Sequence, residues 1–218
     1  APSYHNYSMG LWQDFAGGYL AEGDGVCVLV TGIGKTNSAY ALGQYLAAYP
    51  IPDRIINAGI AGAWPETGVS VGDVVVATSE TYGDEGVQTE SGFLTMADVG
   101  FPLVNDPPLH NRFPTAGTIE LVRWIMDRTG LTVHGGPCLT VSNCSGDPDL
   151  AAARYRQFQP LAESMEGAAL AHVAVIHDIP FLELRGISNH VGHYDKSLWR
   201  IGDAIDAVNR CLDALLED

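Results

Sequence analysis

The sequence predicts a three-layer α/β domain built on a largely parallel sheet. Three observations carry that expectation. Short apolar runs alternate with segments of helical spacing, several of those runs end in Gly-rich turns, and neither repeat nor linker interrupts the 218 residues. That length suits one domain with a sizeable core, here residues 1–218.

The elements follow in order. Residues 25–31, Gly-Val-Cys-Val-Leu-Val-Thr, read as a buried strand. Residues 36–48 place Ala39, Leu42 and Leu46 at helical spacing, with Thr36 or Asn37 as the cap. Residues 54–57 form a second strand that ends in the Gly-rich stretch 58–63. A third strand spans 71–77, and 80–88 is a candidate fourth. Residues 90–114 are Pro-rich and irregular, and loops of that length in a compact domain tend to be functional or disordered. Helices are expected at 118–128 and 147–158, with a strand at 136–141 between them. A mostly apolar helix covers 166–177, a buried strand 180–187, and an amphipathic helix 201–216 closes the chain. The first 25 residues are rich in Tyr, Gly and polar groups and show no apolar strand.

Composition narrows the function. The chain has 26 acidic and 11 basic residues, a formal net charge of −15. Nucleic-acid backbones and anionic membranes both call for Lys/Arg patches, so neither partner is expected. No apolar stretch approaches the roughly 20 residues of a membrane span. The longest, 168–176, contains His172 and reads as a buried helix. Cys27, Cys138, Cys144 and Cys211 form no CxxC pair. They read as small core residues in a reducing cytosol, although Cys138 and Cys144 are close enough in sequence for a disulfide. His134, His172 and His177 show no metal-ligand spacing with a carboxylate, so neither metal nor cofactor is expected.

The chemistry concentrates in two late segments. Residues 163–169, Glu-Ser-Met-Glu-Gly-Ala-Ala, place the Glu166 carboxylate where small neighbours leave room. Residues 185–192, Arg-Gly-Ile-Ser-Asn-His-Val-Gly, set Ser188 and Asn189 just beyond an apolar run. Ligands of open α/β sheets bind at the carboxyl ends of strands. The two segments therefore suggest a site that grips a sugar diol with Glu166 and a planar base with Asn189.

Five segments in register resemble the purine nucleoside phosphorylase and nucleosidase superfamily, and within it the futalosine hydrolases. They are Thr31-Gly-Ile-Gly-Lys35, Asn57-Ala-Gly-Ile-Ala-Gly-Ala63, Val71-Gly-Asp-Val-Val75, Ser164-Met-Glu-Gly-Ala-Ala169 and Arg185-Gly-Ile-Ser-Asn-His-Val-Gly192. The resemblance covers about residues 26–216. It implies a three-layer α/β/α fold with a central mixed, largely parallel sheet, a small nucleoside as ligand, no cofactor, and a cytoplasmic homo-oligomer. It also implies that residues 1–25 depart from the pattern. Related nucleosidases open with a strand whose carboxylate activates the attacking water, and the segment in that place here is atypical. The water-activating base is therefore unassigned, and a shortened or divergent opening region is expected.

Cleaving an N-glycosidic bond needs groups placed where charge develops. Asn189 can donate to purine N7 as the base departs. An Asn rather than an Asp at this position resembles members that favour 6-oxopurines such as the hypoxanthine of futalosine. A plain turn-capping Asn is the alternative reading. Glu166 can accept from both ribose hydroxyls, through bonds that strengthen as the ring gains positive charge. It can also serve as a first-turn Glu that favours the helix dipole. Met165 is a candidate ribose contact or core residue.

Gly34, Ile60, Ala61, Gly62, Ser142 and Ser188 are the remaining substrate-binding candidates, with an ordinary turn as the competing reading for Ser142 and Asn143. Superfamily phosphorylases resemble one another in holding phosphate with an Arg at the position of Asn57 and a Ser at that of Ile60. Neither is present, so water is the expected nucleophile. Lys35 reads as a solvated side chain at a helix start, with phosphate contact as the alternative. Asp84 and Glu85 read as a solvated turn. A 5′ carboxylate calls for a cation, and Arg112, His110 and His190 all stay candidates. The alternatives carried forward are a methylthioadenosine/S-adenosylhomocysteine nucleosidase, a phosphorylase, and a non-catalytic nucleoside-binding relative.

Overall fold

The computed structural model describes residues 10–23 and 25–217. Expectations that fall on residues 1–9 and 24 lie outside the described residues.

The chain opens with β1 (Gln13–Phe15), β2 (Gly18–Gly23) and β3 (Val26–Val30), a three-stranded antiparallel sheet. So residues 10–23 do form strands, contrary to the expectation from their polarity. A two-residue loop joins β1 to β2. Ala16 and Gly17 both take positive φ, 50° and 82°, the signature of the hairpin turn whose twist matches its flanking strands. Only Leu20 and Ala21 of β2 are buried, so the hydrophobic pattern of this hairpin is weak. Helix α1 (Lys35–Ala48) follows. Its N-cap is Gly34, at φ 97°, rather than Thr36 or Asn37; the Asn37 amide instead donates to the Ile33 carbonyl at 2.7 Å.

Strand β4 (Ile55–Ala63) runs straight through the Gly-rich stretch that reads as a turn. Strand β5 (Val74–Tyr82) joins the third and fourth sequence strands into one. The irregular region resolves into small pieces: β6 (Gly86–Thr89), β7 (Gly92–Thr95), α2 (Met96–Val99), β8 (Val104–Asn105), β9 (Pro108–Leu109) and β10 (Arg112–Pro114). The remaining elements are α3 (Ile119–Thr129), β11 (Val133–Thr140), α4 (Pro148–Phe158), β12 (Ala162–Ser164), α5 (Gly167–Ile176), β13 (Phe181–His190) and α6 (Ile201–Leu216). Local chemistry sets several helix ends. The Thr118 hydroxyl caps α3, Gly130 ends it in the left-handed conformation, and Asp147 caps α4 just before Pro148.

The main sheet is mixed. Its parallel pairings, β5–β11, β4–β13 and β11–β12, carry eight, nine and three registered residue pairs. The antiparallel ones, β5–β10, β5–β13 and β4–β12, carry three, three and two. Five of the strands close a ring, β5–β11–β12–β4–β13 and back to β5. Val74, Val76, Val133, Leu182 and Leu184 pack outward against α3 and α6. Ala61, Ala63, Val75, Ala77, Cys138, Ala162 and Ile187, from all five strands, fill the apolar end of the interior. A third cluster brings Leu42 of α1 and the buried face of α5 over Tyr82, Phe113 and Phe181. Helices thus cover the sheet on two sides, the three-layer arrangement the alternation predicts.

One irregularity in the sheet turns a carboxylate inward. The β5–β11 register shifts between Gly136 and Pro137, which leaves Thr78 as an extra residue in β5. A bulge of this kind reverses the in–out alternation beyond it. Val75 and Ala77 face inward before it; after it, Glu80 aligns with inward-facing Cys138 and so enters the interior. Among the described residues, β3 pairs only with β2, and the 55–61 part of β4 pairs only with β13.

Candidate functional site

Glu166 stands where three loops meet. It is the N-cap residue of α5, yet its side chain makes no cap bond to that helix. Instead Oε1 accepts the Gly34 backbone N–H at 3.0 Å, across 132 residues of sequence. Oε2 accepts from the Met165 N–H at 3.3 Å and from Arg185 Nη1 at 3.4 Å. Its side chain keeps 17% exposure, so a carboxylate held by three donors still faces the outside. Two-lone-pair oxygens held in this way retain acceptor capacity for a bound diol. The backbone of Gly34, rather than a side chain, is what that position contributes.

Arg185 is the residue that the sequence reading passed over. It is buried, with Nε 2.5 Å from Glu183 Oε1 while Nη1 reaches Glu166. Burial works against its charge, but Glu183 and Glu166 outweigh it and hold the guanidinium more firmly protonated than usual. The glycines of β4 are explained by what crosses them. A Cβ at Gly59 would fall 2.5 Å from Arg185 Nη1, and one at Gly62 would fall 2.9 Å from Val191 Cγ1 and 3.1 Å from Asn189 Nδ2. Across the β4–β13 pairing Arg185 aligns with Gly59 and Asn189 with Gly62.

The Asn189 amide has a defined orientation. Its Oδ1 accepts from the Ser188 hydroxyl at 2.8 Å, and its Nδ2 donates to the His190 carbonyl at 3.0 Å. The carbonyl demands a donor, which rules out the flipped amide. The second Nδ2 proton is left for a ligand. Ser188 is buried, and its hydroxyl, closer to Asn189 Oδ1, also lies 3.2 Å from the Ala61 carbonyl. Ala61 buries its methyl in the apolar interior, leaving only its backbone to touch anything else. Ile60 and Gly62 lie on the opposite face of β4 from Ala61. Met165 is half-buried.

Lys35 is not the solvated residue that its position suggests. Its ammonium sits 2.6 Å from Asp84 and 2.7 Å from Glu85, with 14% of the side chain exposed. Burial lowers its affinity for the proton, and the bonds to Asp84 and Glu85 more than restore it, leaving the pKa raised. Both charges are thereby engaged, and the same Asp84 accepts the Ser142 N–H at 2.6 Å. Asp84 thus ties the 31–35 loop to the end of β11.

A buried cluster braces the next turn. Glu163 accepts from the Ser145 N–H at 2.7 Å and its hydroxyl at 2.5 Å, and pairs with Arg154 at 3.2 Å. Burial pushes the Glu163 carboxyl up, against the pull of those partners.

The candidate 5′ cations are dispersed. Arg112 Nε donates to the Ser79 hydroxyl at 2.9 Å, and His190 Nε2 lies 3.2 Å from the Val69 carbonyl. His110 and Arg112 line a cavity of about 370 Å³ with Thr81, Thr95 and Phe158, a cavity that includes neither Glu166 nor Asn189. Phe93 lies tilted against Phe158, ring centroids 6.4 Å apart, and Leu103 packs on the cluster that includes α5. Two further histidines have ordinary partners: His134 pairs with Asp73 at 2.9 Å, and His172 lies 3.4 Å from the Tyr82 hydroxyl. All four cysteines are free thiols. No described helix is long and apolar enough to cross a membrane.

A family model described as the phosphorylase superfamily matches residues 8–217. Over 198 residues the chain is 36% identical to a futalosine hydrolase of Streptomyces coelicolor, covering 88% of this chain and 79% of that one. It is 36% identical to a futalosine hydrolase of Thermus thermophilus over 201 residues, covering 90% and 84% respectively. Among solved structures, the MTA/SAH nucleosidase of Streptococcus pneumoniae in complex with 8-aminoadenine superposes with a TM-score of 0.77 at 28% identity, covering 98% of this chain and 90% of that one.

Proposed function

Because the chain belongs to the phosphorylase superfamily, we propose that it hydrolyses the N-glycosidic bond of a purine nucleoside modified at its 5′ position, with futalosine as the substrate. The observation that carries the chemical part of this reading is the Glu166 carboxylate. It is preset by the Gly34 N–H, the Met165 N–H and Arg185, and is still open on one side.

The reaction is dissociative. As the C1′–N9 bond lengthens, the ribose gains positive charge, and Glu166 accepts from its two hydroxyls through bonds that tighten with that charge. Asn189 hydrogen-bonds N7 of the departing hypoxanthine through its spare Nδ2–H and keeps that proton; the proton that water loses on addition ends on the released base. Ser188 keeps the amide from turning. Water then adds to the anomeric carbon. Met165, Ser142, Ile60 and the backbone of Gly34, Ala61 and Gly62 line the nucleoside.

Phosphorolysis is the less favoured reading, because the cation nearest the 31–35 loop, Lys35, is already engaged by Asp84 and Glu85. An Asn at 189 likewise favours a 6-oxopurine over methylthioadenosine. The reading also includes a homo-oligomer in a reducing cytosol, which sedimentation and thiol titration test.

The experiment compares futalosine, inosine and methylthioadenosine in phosphate-free buffer and again with phosphate added. Hypoxanthine from futalosine alone, at a rate indifferent to phosphate, is expected. Adenine from methylthioadenosine at higher kcat/KM, or turnover only with phosphate, overturns the substrate or the nucleophile.

A further inference from the structure

Glu80 and Glu183 are two fully buried carboxyl groups inside the strand ring that the hydrolytic reading leaves without a task. They lie between the apolar interior around Ala61 and Ile187 and the cluster under α5, brought inward by the bulge at Thr78 and by the alternation of β13. Each has one satisfied oxygen. Glu80 Oε2 accepts from the Thr140 hydroxyl at 2.6 Å, and Glu183 Oε1 accepts from Arg185 Nε at 2.5 Å. The other two oxygens, Glu80 Oε1 and Glu183 Oε2, are buried without any donor. They converge on one point: a methyl on Gly167 would fall 2.5 Å from Glu80 Oε1 and closer still to Glu183 Oε2.

Two buried acceptors brought to one point repel, and one proton between them satisfies both. We infer that Glu80 and Glu183 share a single proton, and that the singly charged pair acts through Arg185 as a positioning device for Glu166. Burial, and then the charge of Glu183, push the Glu80 carboxyl well above the usual carboxylate range, which puts the proton on Glu80.

The neighbours fit that charge count. Arg185 of β13 is the one cation in the cluster, shared between Glu183 and Glu166. Cys138 of β11 is pushed well up by burial and by the two carboxyls, and Tyr82 of β5 is raised by burial and nearby acids, so both stay neutral. Asn57 of β4, aligned with Glu183, carries no charge, and its Nδ2, like Arg185 Nη2, is a buried donor that makes no bond to either carboxyl. With the proton in place, Glu183 takes the Nε side of Arg185 and the Nη1 side is left to orient Glu166. Without it, a second full charge competes for the same guanidinium. The role assigned to Glu166 rests on the hydrolytic reading; the shared proton does not.

The test uses the full chain and the variants E80Q and E80A. A Gln at 80 can donate its amide to Glu183 and accept from Thr140, so it reproduces the protonated acid without titrating. At neutral pH the wild type is expected to show the infrared carbonyl stretch of a protonated carboxyl, and E80Q to lack that band. E80A is expected to lower kcat on futalosine about tenfold and E80Q to restore most of it, since a positioning loss acts on kcat.

Thermal melting adds an independent reading. A raised Glu80 carboxyl favours the protonated folded state, so wild-type stability falls as pH rises above the ordinary carboxyl value of about 4.3, and E80Q lacks that part of the decline. A wild type without any band that E80Q removes, or an E80Q no better than E80A, overturns the inference. The band without turnover of any nucleoside leaves the shared proton standing and sinks the hydrolytic reading. Turnover without the band does the reverse.

Discussion

Glu166→Gln removes one charge and reverses one donor at the point where three donors meet. Gly34 N–H binds Oε1, while Met165 N–H and Arg185 bind Oε2. Whichever way the new amide turns, its NH2 faces a donor. The cheaper orientation gives up only the Gly34 bond, at about 1 kcal/mol. The two ribose hydroxyls then meet a neutral oxygen instead of a carboxylate, which forfeits about 1 kcal/mol for each charge-assisted bond. The Gly34 bond is missing from the free enzyme as well, so its loss shows in stability; the two hydroxyl bonds together cost about 2 kcal/mol, or roughly 30-fold in rate. Because the hydroxyl bonds tighten only as the ring becomes cationic, most of that loss belongs in kcat rather than KM. The assay is hypoxanthine release from futalosine by chromatography over a range of substrate concentrations. Unchanged turnover, or a rise in KM with kcat intact, would refute the role given to this carboxylate.

Asn189→Asp keeps the acceptor for Ser188 but removes both the spare donor and the donor to the His190 carbonyl, so the ratio of kcat/KM for methylthioadenosine over futalosine, which cancels a general loss of order, is expected to rise at least about tenfold, read by parallel substrate kinetics. Gly167→Ala puts a helix-favouring residue into α5, yet the added methyl lands on the facing oxygens of Glu80 and Glu183. Overpacking costs about 1–3 kcal/mol, and Tm is expected to drop by about 2–4 °C for each, where helix propensity alone predicts a gain. Arg154→Met leaves Glu163 buried without its cation, a loss of about 3–5 kcal/mol in urea unfolding at neutral pH. Since burial already raises the Glu163 carboxyl, that deficit should shrink as pH falls and the group takes up a proton.

The alternation of apolar strands and helices was enough to read the layers, because buried parallel strands write themselves as continuous runs such as 74–77. Three things escaped that pattern. The hairpin of β1 and β2 buries only Leu20 and Ala21, and its clearest signal was the Ala16–Gly17 turn. The Gly-rich end of β4 looks like a turn, but its glycines are there because Arg185 and Asn189 cross the strand. The bulge at Thr78 turns Glu80 inward, and no spacing in the sequence marks it. Glu166 and Asn189 stood out because each sits at a strand end beside small residues. Arg185, Asp84 and Glu80 act across 19, 58 and 60 residues, through contacts that have no period, and so only the folded chain brings them to the site.

The central claim is that water cleaves a purine from a 5′-modified nucleoside. Purified protein incubated with futalosine in phosphate-free buffer made with ¹⁸O water tests it most directly. The account predicts free hypoxanthine together with one ¹⁸O at the anomeric position of the sugar product. Release that requires added phosphate and yields a sugar phosphate, or no release of base at all, would contradict it.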